Sequence, residues 1–152
     1  MKSILLIIIL NLPSYNSEVC KIRELYLNAS RSEARCDQLG AKLNTLDVKN
    51  SVLLKGYAGC FYFIKCKFIN SPSKKLLFFN KGKSLIESAI KEDPLSVELR
   101  FLRFSIQKNL PRFLLYNNDI EKDLNFVTEN IQRVKNKESQ KFIIKSLKSI
   151  NK

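Results

Sequence analysis

The scarcity of glycine and proline is the feature that most constrains the fold of this chain. Only four Gly and four Pro occur in 152 residues, so few tight turns are available to join short elements. A many-stranded sandwich needs a turn about every 8 to 12 residues. With 45% apolar residues the chain has enough side chains to build a core. The sequence therefore predicts an all-α protein, a single domain built from antiparallel helix pairs.

Apolar residues recur at helical spacing along most of the chain. The clearest start signal is "NSPS", where Ser71 is expected to cap a helix and Pro72 to occupy its first position. Asp93 and Pro94 repeat that signal for the following helix. A short second helix is expected to be interrupted near Gly40. We expect helices at 18–30, 32–43, 50–69, 74–91, 94–110, 120–134 and 138–150, with a strand pair as the alternative for "CFYFIKCKF" at 60–68.

The segment "KEDPLSVELRFLRFSIQ", residues 91–107, places two arginines one turn apart in an apolar helix. On a helix starting at Pro94, apolar stripes lie on both flanks of a polar stripe at i, i+4, i+7 and i+11. A helix that is apolar on both flanks lies between neighbours, so we expect the polar stripe to line a crevice. The candidate binding residues are Ser96, Arg100, Arg103 and Gln107.

Two interpretations of these arginines are open. In the first, they line a groove and hold an acidic side chain or the C-terminal carboxylate of a peptide, because a planar guanidinium binds a carboxylate through two hydrogen bonds. In the second, they form an internal salt bridge, since partly buried charges are normally paired. The expected partners in that case are Asp119, Glu121 or Asp123.

The first 17 residues, "MKSILLIIILNLPSYNS", have the layout of a secretory signal peptide. Lys2 precedes an apolar run at 4–10, which is too short to span a bilayer. Small residues follow, and we expect cleavage after Ser14 or Ser17. Residues 18–152 would then form a single helical domain, exported to the periplasm or the cell exterior. An ordinary N-terminal hydrophobic helix is the alternative.

Few residues are available for catalysis. The chain has no His, which excludes His-based triads and most catalytic zinc sites. Two acidic groups remain as candidates for acid–base chemistry, but their members are predicted on helix exteriors. We expect a protein that is not an enzyme and that uses neither a metal nor a cofactor. The acidic groups are Glu87, Glu92, Asp93 and Glu98, and Asp119, Glu121 and Asp123.

The four cysteines allow three disulfide pairings. Cys60 and Cys66 lie six residues apart on one predicted helix, a rise of about 9 Å that exceeds the span of a disulfide. Cys20 with Cys36 is therefore the more feasible pair. The alternative is four thiols that pack as small apolar residues.

A net charge of +13 suggests attraction to nucleic acid, anionic lipid or another acidic polymer. Lysines surround the "NSPS" turn with aromatic residues nearby, a combination that binds single-stranded nucleic acid in some proteins. An ordinary solvated face is the alternative. The residues are Lys65, Lys67, Lys74, Lys75, Lys81 and Lys83, with Tyr62, Phe68 and Phe78.

Residues 82–94 resemble the second helix of a tetratricopeptide repeat, in which small residues allow close helix approach and a proline starts the next repeat. The residues that carry this resemblance are Gly82, Ile86, Ala89, Ile90 and Pro94. The first helix of such a repeat is represented by Leu54, Tyr57, Ala58 and Phe61. The resemblance implies one degenerate repeat.

The C-terminal two thirds is also similar to a group of small exported helical proteins of Bacteroidota-type bacteria, a group without an assigned activity. The residues that carry this similarity are Phe79, Asn80, Gly82, Pro94, Glu98, Arg100, Phe101, Leu102, Arg103, Gln107, Pro111, Tyr116 and Asn117. We expect an exported non-catalytic scaffold that binds a protein or peptide partner in the cell envelope. The alternative is a basic surface that binds anionic polymer, nucleic acid or membrane.

Overall fold

A computed structural model describes residues 15–150, which form seven α-helices and contain no β-strand. The helices are α1 (Tyr15–Ala29), α2 (Glu33–Asn44), α3 (Val52–Lys65), α4 (Pro72–Glu92), α5 (Val97–Asn109), α6 (Ile120–Asn130) and α7 (Lys137–Ile150). Single turns of 3-10 helix follow α3, α5 and α6. The all-α prediction is confirmed, and the strand alternative for residues 60–68 is wrong because α3 continues into the turn Cys66–Phe68.

The predicted signal peptide, residues 1–17, lies mostly outside the described residues. Its last three residues, 15–17, belong to the first turn of α1. Within residues 15–150, no helix combines the length and the apolar character needed to cross a membrane.

Serine side chains mark the starts of four helices. Ser32, Ser51, Ser71 and Ser96 each accept a hydrogen bond from the backbone N–H three residues later. This bond satisfies one of the donors that the first helical turn leaves unpaired. The cap predicted at Ser71, with proline at the first helical position, is confirmed.

Several predicted helix limits are wrong: α1 starts three residues earlier than expected, and α3 and α6 each end four residues earlier, at Lys65 and Asn130. Helix α2 continues through Gly40 to Asn44 without interruption. Helix α5 starts at Val97 rather than Pro94, because Asp93 ends α4 and its carbonyl accepts the N–H of Ser96 across a turn.

Helix α5 lies at the centre of the molecule and contacts α3, α4, α6 and α7. Every residue from 98 to 107 is buried except Arg100, which is partly buried. The prediction that α5 lies between neighbours on both flanks is therefore correct. Leu95, which a helix starting at Pro94 would place in one of the apolar stripes, precedes the helix and is 76% exposed.

Helices α3 and α4 cross at a pair of glycines. A Cβ atom on Gly59 would lie 2.9 Å from the carbonyl oxygen of Gly82 and 3.0 Å from the backbone nitrogen of Ile86. A Cβ atom on Gly82 would meet the carbonyl oxygen of Gly59 at 2.9 Å. Both obstacles are backbone atoms, so neither helix has room for a side chain at the crossing.

Replacing Gly59 with alanine is expected to lower the free energy of unfolding by about 1–3 kcal/mol, because overpacking forces the two backbones apart. The loss outweighs the gain of about 1 kcal/mol that alanine brings to a helix interior. Urea denaturation followed by circular dichroism measures it. Gly40→Ala is the matched control, since the added methyl meets only the end of the partly exposed Phe61 ring. Equal stability of the two variants would contradict the close approach at the crossing.

Candidate functional site

Arg103 of α5 lies within a cluster of three carboxylates. Its Nε and Nη2 donate to Asp123 at 2.6 and 2.8 Å, and its Nη1 donates to Glu87 at 2.8 Å. Asp119 approaches Nη2 at 3.2 Å. Burial by itself would lower the pKa of Arg103, but the hydrogen bonds and charge of Asp123 offset it and raise the pKa. The arginine is therefore a fixed cation paired inside the protein.

The other predicted binding residues also have internal partners. Arg100 contacts Asp123 at 3.1 Å and donates from Nε and Nη2 to the carbonyl of Pro94. Gln107 exchanges two hydrogen bonds with Asp119, at 3.2 and 3.3 Å. Ser96 is the N-cap of α5.

The structure thus brings Arg100, Arg103 and Gln107 together, but around side chains of the same chain. The internal salt bridge is confirmed for Asp119 and Asp123, whereas Glu121 forms no ion pair among residues 15–150. Binding of a partner by these residues stays a prediction.

A second buried ion pair, which the sequence patterns did not predict, joins α1 to α5. The Nε and Nη2 atoms of Arg23 donate to the two carboxylate oxygens of Glu98 at 2.8 and 2.7 Å. Tyr57 and Ser139 donate their hydroxyls to the same carboxylate at 2.5 and 2.6 Å. Glu98 therefore ties together four helices. Glu98 lies one turn before Phe101 and Leu102 on an apolar face of α5. A carboxylate in that position indicates a buried charge with a partner, and this was the available signal in the sequence.

The prediction that these acidic residues lie on helix exteriors is wrong for Glu98 and Asp123, which are 5% and 0% exposed. Each is neutralised by a bidentate arginine, and every buried side-chain nitrogen and oxygen among residues 15–150 has a hydrogen-bond partner. The same part of the chain holds no group of three or more His, Cys, Asp or Glu placed to bind a metal ion. The two clusters thus connect helices of the same chain.

An open groove of about 510 Å³ lies between α1, α3, α5 and α7, a size typical of ligand and peptide sites. Its walls are mainly apolar, and Lys67 is the charged residue among them. At its base, the hydroxyl of Tyr26 donates to Ser105 at 2.9 Å. The lining residues are Tyr26, Leu27, Ser30, Phe63, Ile64, Lys67, Phe101, Ser105, Ile106, Asn109, Leu110, Pro111, Ser146, Ser149 and Ile150.

The polar groups of this groove are largely hydrogen-bonded within the protein. Ser146 donates to the carbonyl of Phe142, and Asn109 donates to the carbonyl of Ser105. Burial raises the pKa of Tyr26, so its hydroxyl stays neutral. The groove therefore presents an apolar interior with one cation, Lys67, at its edge, where its Nζ donates to the carbonyl of Ser30 at 3.0 Å.

A second cavity of about 560 Å³ lies between the end of α5 and the start of α6. Of the four predicted binding residues, Gln107 lines it and the other three line neither cavity. The amide of Gln107 is hydrogen-bonded to Asp119, so its nitrogen and oxygen already have partners within the protein.

The lysines predicted around the "NSPS" turn differ in their contacts. Lys65 is paired with Glu33 and Asp37 at 2.8 and 2.6 Å. Lys81 lies 4.4 Å above the ring of Tyr62, and three others lie over aromatic rings at 5.1 to 5.9 Å. A basic and aromatic surface is therefore present around residues 62–83.

The cysteines are all free thiols in the structure, as in the interpretation of four unbonded thiols, and the candidate pair of Cys20 and Cys36 is not bonded. Cys36 and Cys60 are buried, as expected for thiols that pack as apolar residues, whereas Cys20 is exposed and Cys66 is partly buried. Burial raises the pKa of the Cys36 thiol to about 11.

Iodoacetamide at pH 8 is expected to modify Cys20 first and Cys36 far more slowly. A thiol with a pKa of about 11 is about one part in a thousand thiolate at pH 8, and the thiolate is the nucleophile. The thiolate fraction of Cys36, and with it the rate of alkylation, increases as the pH rises toward 11. Mass spectrometry of peptides after timed alkylation measures the order, and the chain unfolded in guanidinium is the control in which all four react. Protection of Cys20 in the folded protein, reversed by reductant, would reveal a disulfide instead.

No protein-family model, no curated protein and no solved structure matches this chain. The contacts described above are therefore the basis for assigning a function.

Proposed function

We propose that this protein is a non-catalytic helical scaffold that binds a protein or peptide partner, and that it acts after export in the cell envelope. The observation that supports this function is the apolar groove between α1, α3, α5 and α7 with Lys67 at its edge. Both buried carboxylate clusters are occupied by arginines of the same chain, so the groove offers the better-exposed binding surface.

The chemistry of the groove fits an apolar side chain next to a carboxylate. Apolar walls bind an aliphatic or aromatic side chain through burial, and the paired hydroxyls at the base offer few free hydrogen-bonding groups to a polar one. The ammonium of Lys67 is placed to receive a C-terminal or acidic carboxylate in exchange for its bond to Ser30. In this proposal Lys67 replaces Arg100 and Arg103 as the anion-binding residue.

We further propose that α3 and α4 form one degenerate tetratricopeptide-like repeat. The Gly59–Gly82 crossing supports this assignment, because small residues at the crossing are what such a repeat requires. Ala89 is fully buried on α4, and Pro94 follows its end. A repeat of this kind presents helix faces to a partner.

The test is binding of a synthetic peptide library with free C-terminal carboxylates to the full-length chain, followed by affinity measurement for the selected peptides. Ser149→Trp, at the rim of the groove, is expected to abolish binding by filling the entrance. Ser84→Trp is the matched control, because Ser84 is also exposed but lies on α4 away from the groove. Equal binding by both variants would contradict the groove assignment.

The role of Lys67 is tested with amidated versions of the selected peptides. Loss of the carboxylate is expected to weaken binding to the wild-type protein about ten-fold or more, as for a hydrogen bond to a charged group. Lys67→Met is expected to bind the acid and amide forms alike. If the variant keeps the preference for the free acid, another residue binds the carboxylate.

A further inference from the structure

Most acidic side chains of this protein form ion pairs with basic side chains of the same chain. Ten of the fourteen Asp and Glu side chains form ion pairs, but only eight of the 25 Lys and Arg side chains among residues 15–150 do so. The excess positive charge is therefore on the outer surface, where its distribution decides what it attracts.

In two segments the basic residues are not accompanied by any acidic residue. Residues 66–86 and 108–118 contain seven basic residues and no acidic residue. The basic residues are Lys67, Lys74, Lys75, Lys81, Lys83, Lys108 and Arg112.

The two segments meet at one end of the molecule, here called the basic end and defined as residues 66–83 and 108–116. Tyr116 stacks on Phe63 at 5.6 Å and contacts the ring of Phe79 at 6.1 Å. Lys83 lies 5.1 Å above the Tyr116 ring. The loop after α5 is therefore packed against α3 and the first half of α4.

Exposed apolar side chains are concentrated at the same end. Seven large apolar side chains are exposed among residues 15–150, and four of them lie here, between 60% and 79% exposed. They are Leu76, Leu77, Phe113 and Leu115.

Leu115 also has a left-handed backbone conformation, with φ 51° and ψ 37°. A leucine rarely adopts it, and solvent exposure of its side chain gives no folding benefit in return. Strain held at an exposed apolar residue is typical of a binding surface.

Two aromatic rings at or beside the basic end, those of Tyr62 and Phe78, are poorly placed for stacking on nucleotide bases. The face of Tyr62 is covered by the ammonium of Lys81 at 4.4 Å, and Lys74 lies over Phe78. Tyr62 and Phe78 also meet edge to face at 5.3 Å. Single-strand nucleic-acid sites need free ring faces, whereas a bilayer surface needs exposed aliphatic side chains among lysines.

We propose that the basic end binds the surface of an anionic phospholipid bilayer. The lysines contact lipid phosphates, and the four exposed apolar side chains enter the headgroup region. The basic end shares residues with the rim of the groove, among them Lys67 and Leu110, but its four exposed apolar residues do not line the groove, so a peptide and a bilayer would contact different apolar surfaces.

The absence of tryptophan from the chain provides a local test. Phe113→Trp places a single fluorophore at the basic end, and Leu95→Trp places one at a residue that is almost equally exposed. Leu95 follows the C-terminal end of α4, and the helix between Leu76 and that end is about 24 Å long by helix rise. Both variants are made in the full-length chain and mixed with vesicles of phosphatidylglycerol and phosphatidylcholine, or of phosphatidylcholine alone.

We expect the emission of the Phe113→Trp variant to shift to shorter wavelength with anionic vesicles and not with neutral ones, and to be quenched by lipids brominated on their acyl chains. The emission of the Leu95→Trp variant is expected to stay unchanged. Because the readout is local, binding of vesicles through the apolar residues 4–10 does not produce it. Added salt is expected to weaken the shift, since it screens the lysines.

Leu76→Ser and Leu77→Ser are introduced together into the Phe113→Trp variant. The lipid concentration that gives half of the emission shift is expected to rise at least about ten-fold. Burial of a leucine side chain in the bilayer contributes more than the ~1.4 kcal/mol that corresponds to a ten-fold change. Both side chains are exposed, so folding is retained, and an unchanged circular dichroism spectrum verifies this. An equal shift with neutral vesicles, equal shifts at positions 95 and 113, or a shift produced by an oligothymidylate but not by anionic vesicles would each overturn the proposal.

Discussion

Glu98→Ala is expected to lower the free energy of unfolding by about 3–5 kcal/mol, a large fraction of the stability of a domain this size. The substitution leaves Arg23 buried without its counter-charge. It also removes the acceptor of the Tyr57 and Ser139 hydroxyls. A buried donor without a partner costs about 1–3 kcal/mol in its own right.

Urea denaturation followed by circular dichroism at 222 nm measures the effect. The matched control is Glu24→Ala on α1, whose carboxylate forms an exposed pair with Lys21 and is expected to contribute little. Glu98→Gln is expected to lie between the two, because an amide keeps the shape of the side chain but cannot accept both bonds from Arg23. A Glu98→Ala protein as stable as the Glu24→Ala control would show that the pair is not buried in solution.

Arg103→Ala is expected to cost a similar amount, about 3–5 kcal/mol, because it leaves the fully buried Asp123 with only Arg100 nearby. Arg100→Ala is expected to cost about 1 kcal/mol, a typical net hydrogen-bond contribution, since Arg100 is more exposed and its bond to Asp123 is longer. A double-mutant cycle between Arg103→Ala and Asp123→Ala gives the coupling directly.

The same pair of variants tests whether the arginines bind a partner. If Arg103→Ala lowers the stability and Arg100→Ala leaves the peptide affinity unchanged, both arginines serve to stabilise the fold and do not bind the partner. An Arg103→Ala protein that melts like the wild type but no longer binds the selected peptides would instead restore the groove interpretation for this stripe. Thermal melting and peptide titration on the same preparations make the comparison.

The helical architecture could be predicted because its signals are local. Helix-spaced apolar residues, and Ser71 followed by Pro72, act within a few residues of the chain, so no knowledge of the tertiary contacts is needed. The start of α5 was misplaced because Asp93 and Ser96 are both good caps, and only the turn between the helices decides which one is used.

The candidate site depended on contacts between distant residues. The sequence placed Arg100 and Arg103 in a crevice and named Asp119 and Asp123 as possible partners, which are 16 to 23 residues away at the start of the next helix. It did not predict Arg23 with Glu98, which are 75 residues apart, because spacing within one helix carries no information about a helix so remote. The groove was missed for the same reason, since four helices each contribute a part of its wall.

Short-range patterns in the sequence were enough to predict the fold class, the ends of most helices, the excess of positive charge and the packing of α5 between neighbouring helices. Each of these follows from composition or from periodicity within one element. The tertiary structure decided which charges are paired inside and which remain on the surface. Burial depends on how helices cross, and at the α3–α4 crossing that is set by two glycines 23 residues apart whose backbones touch.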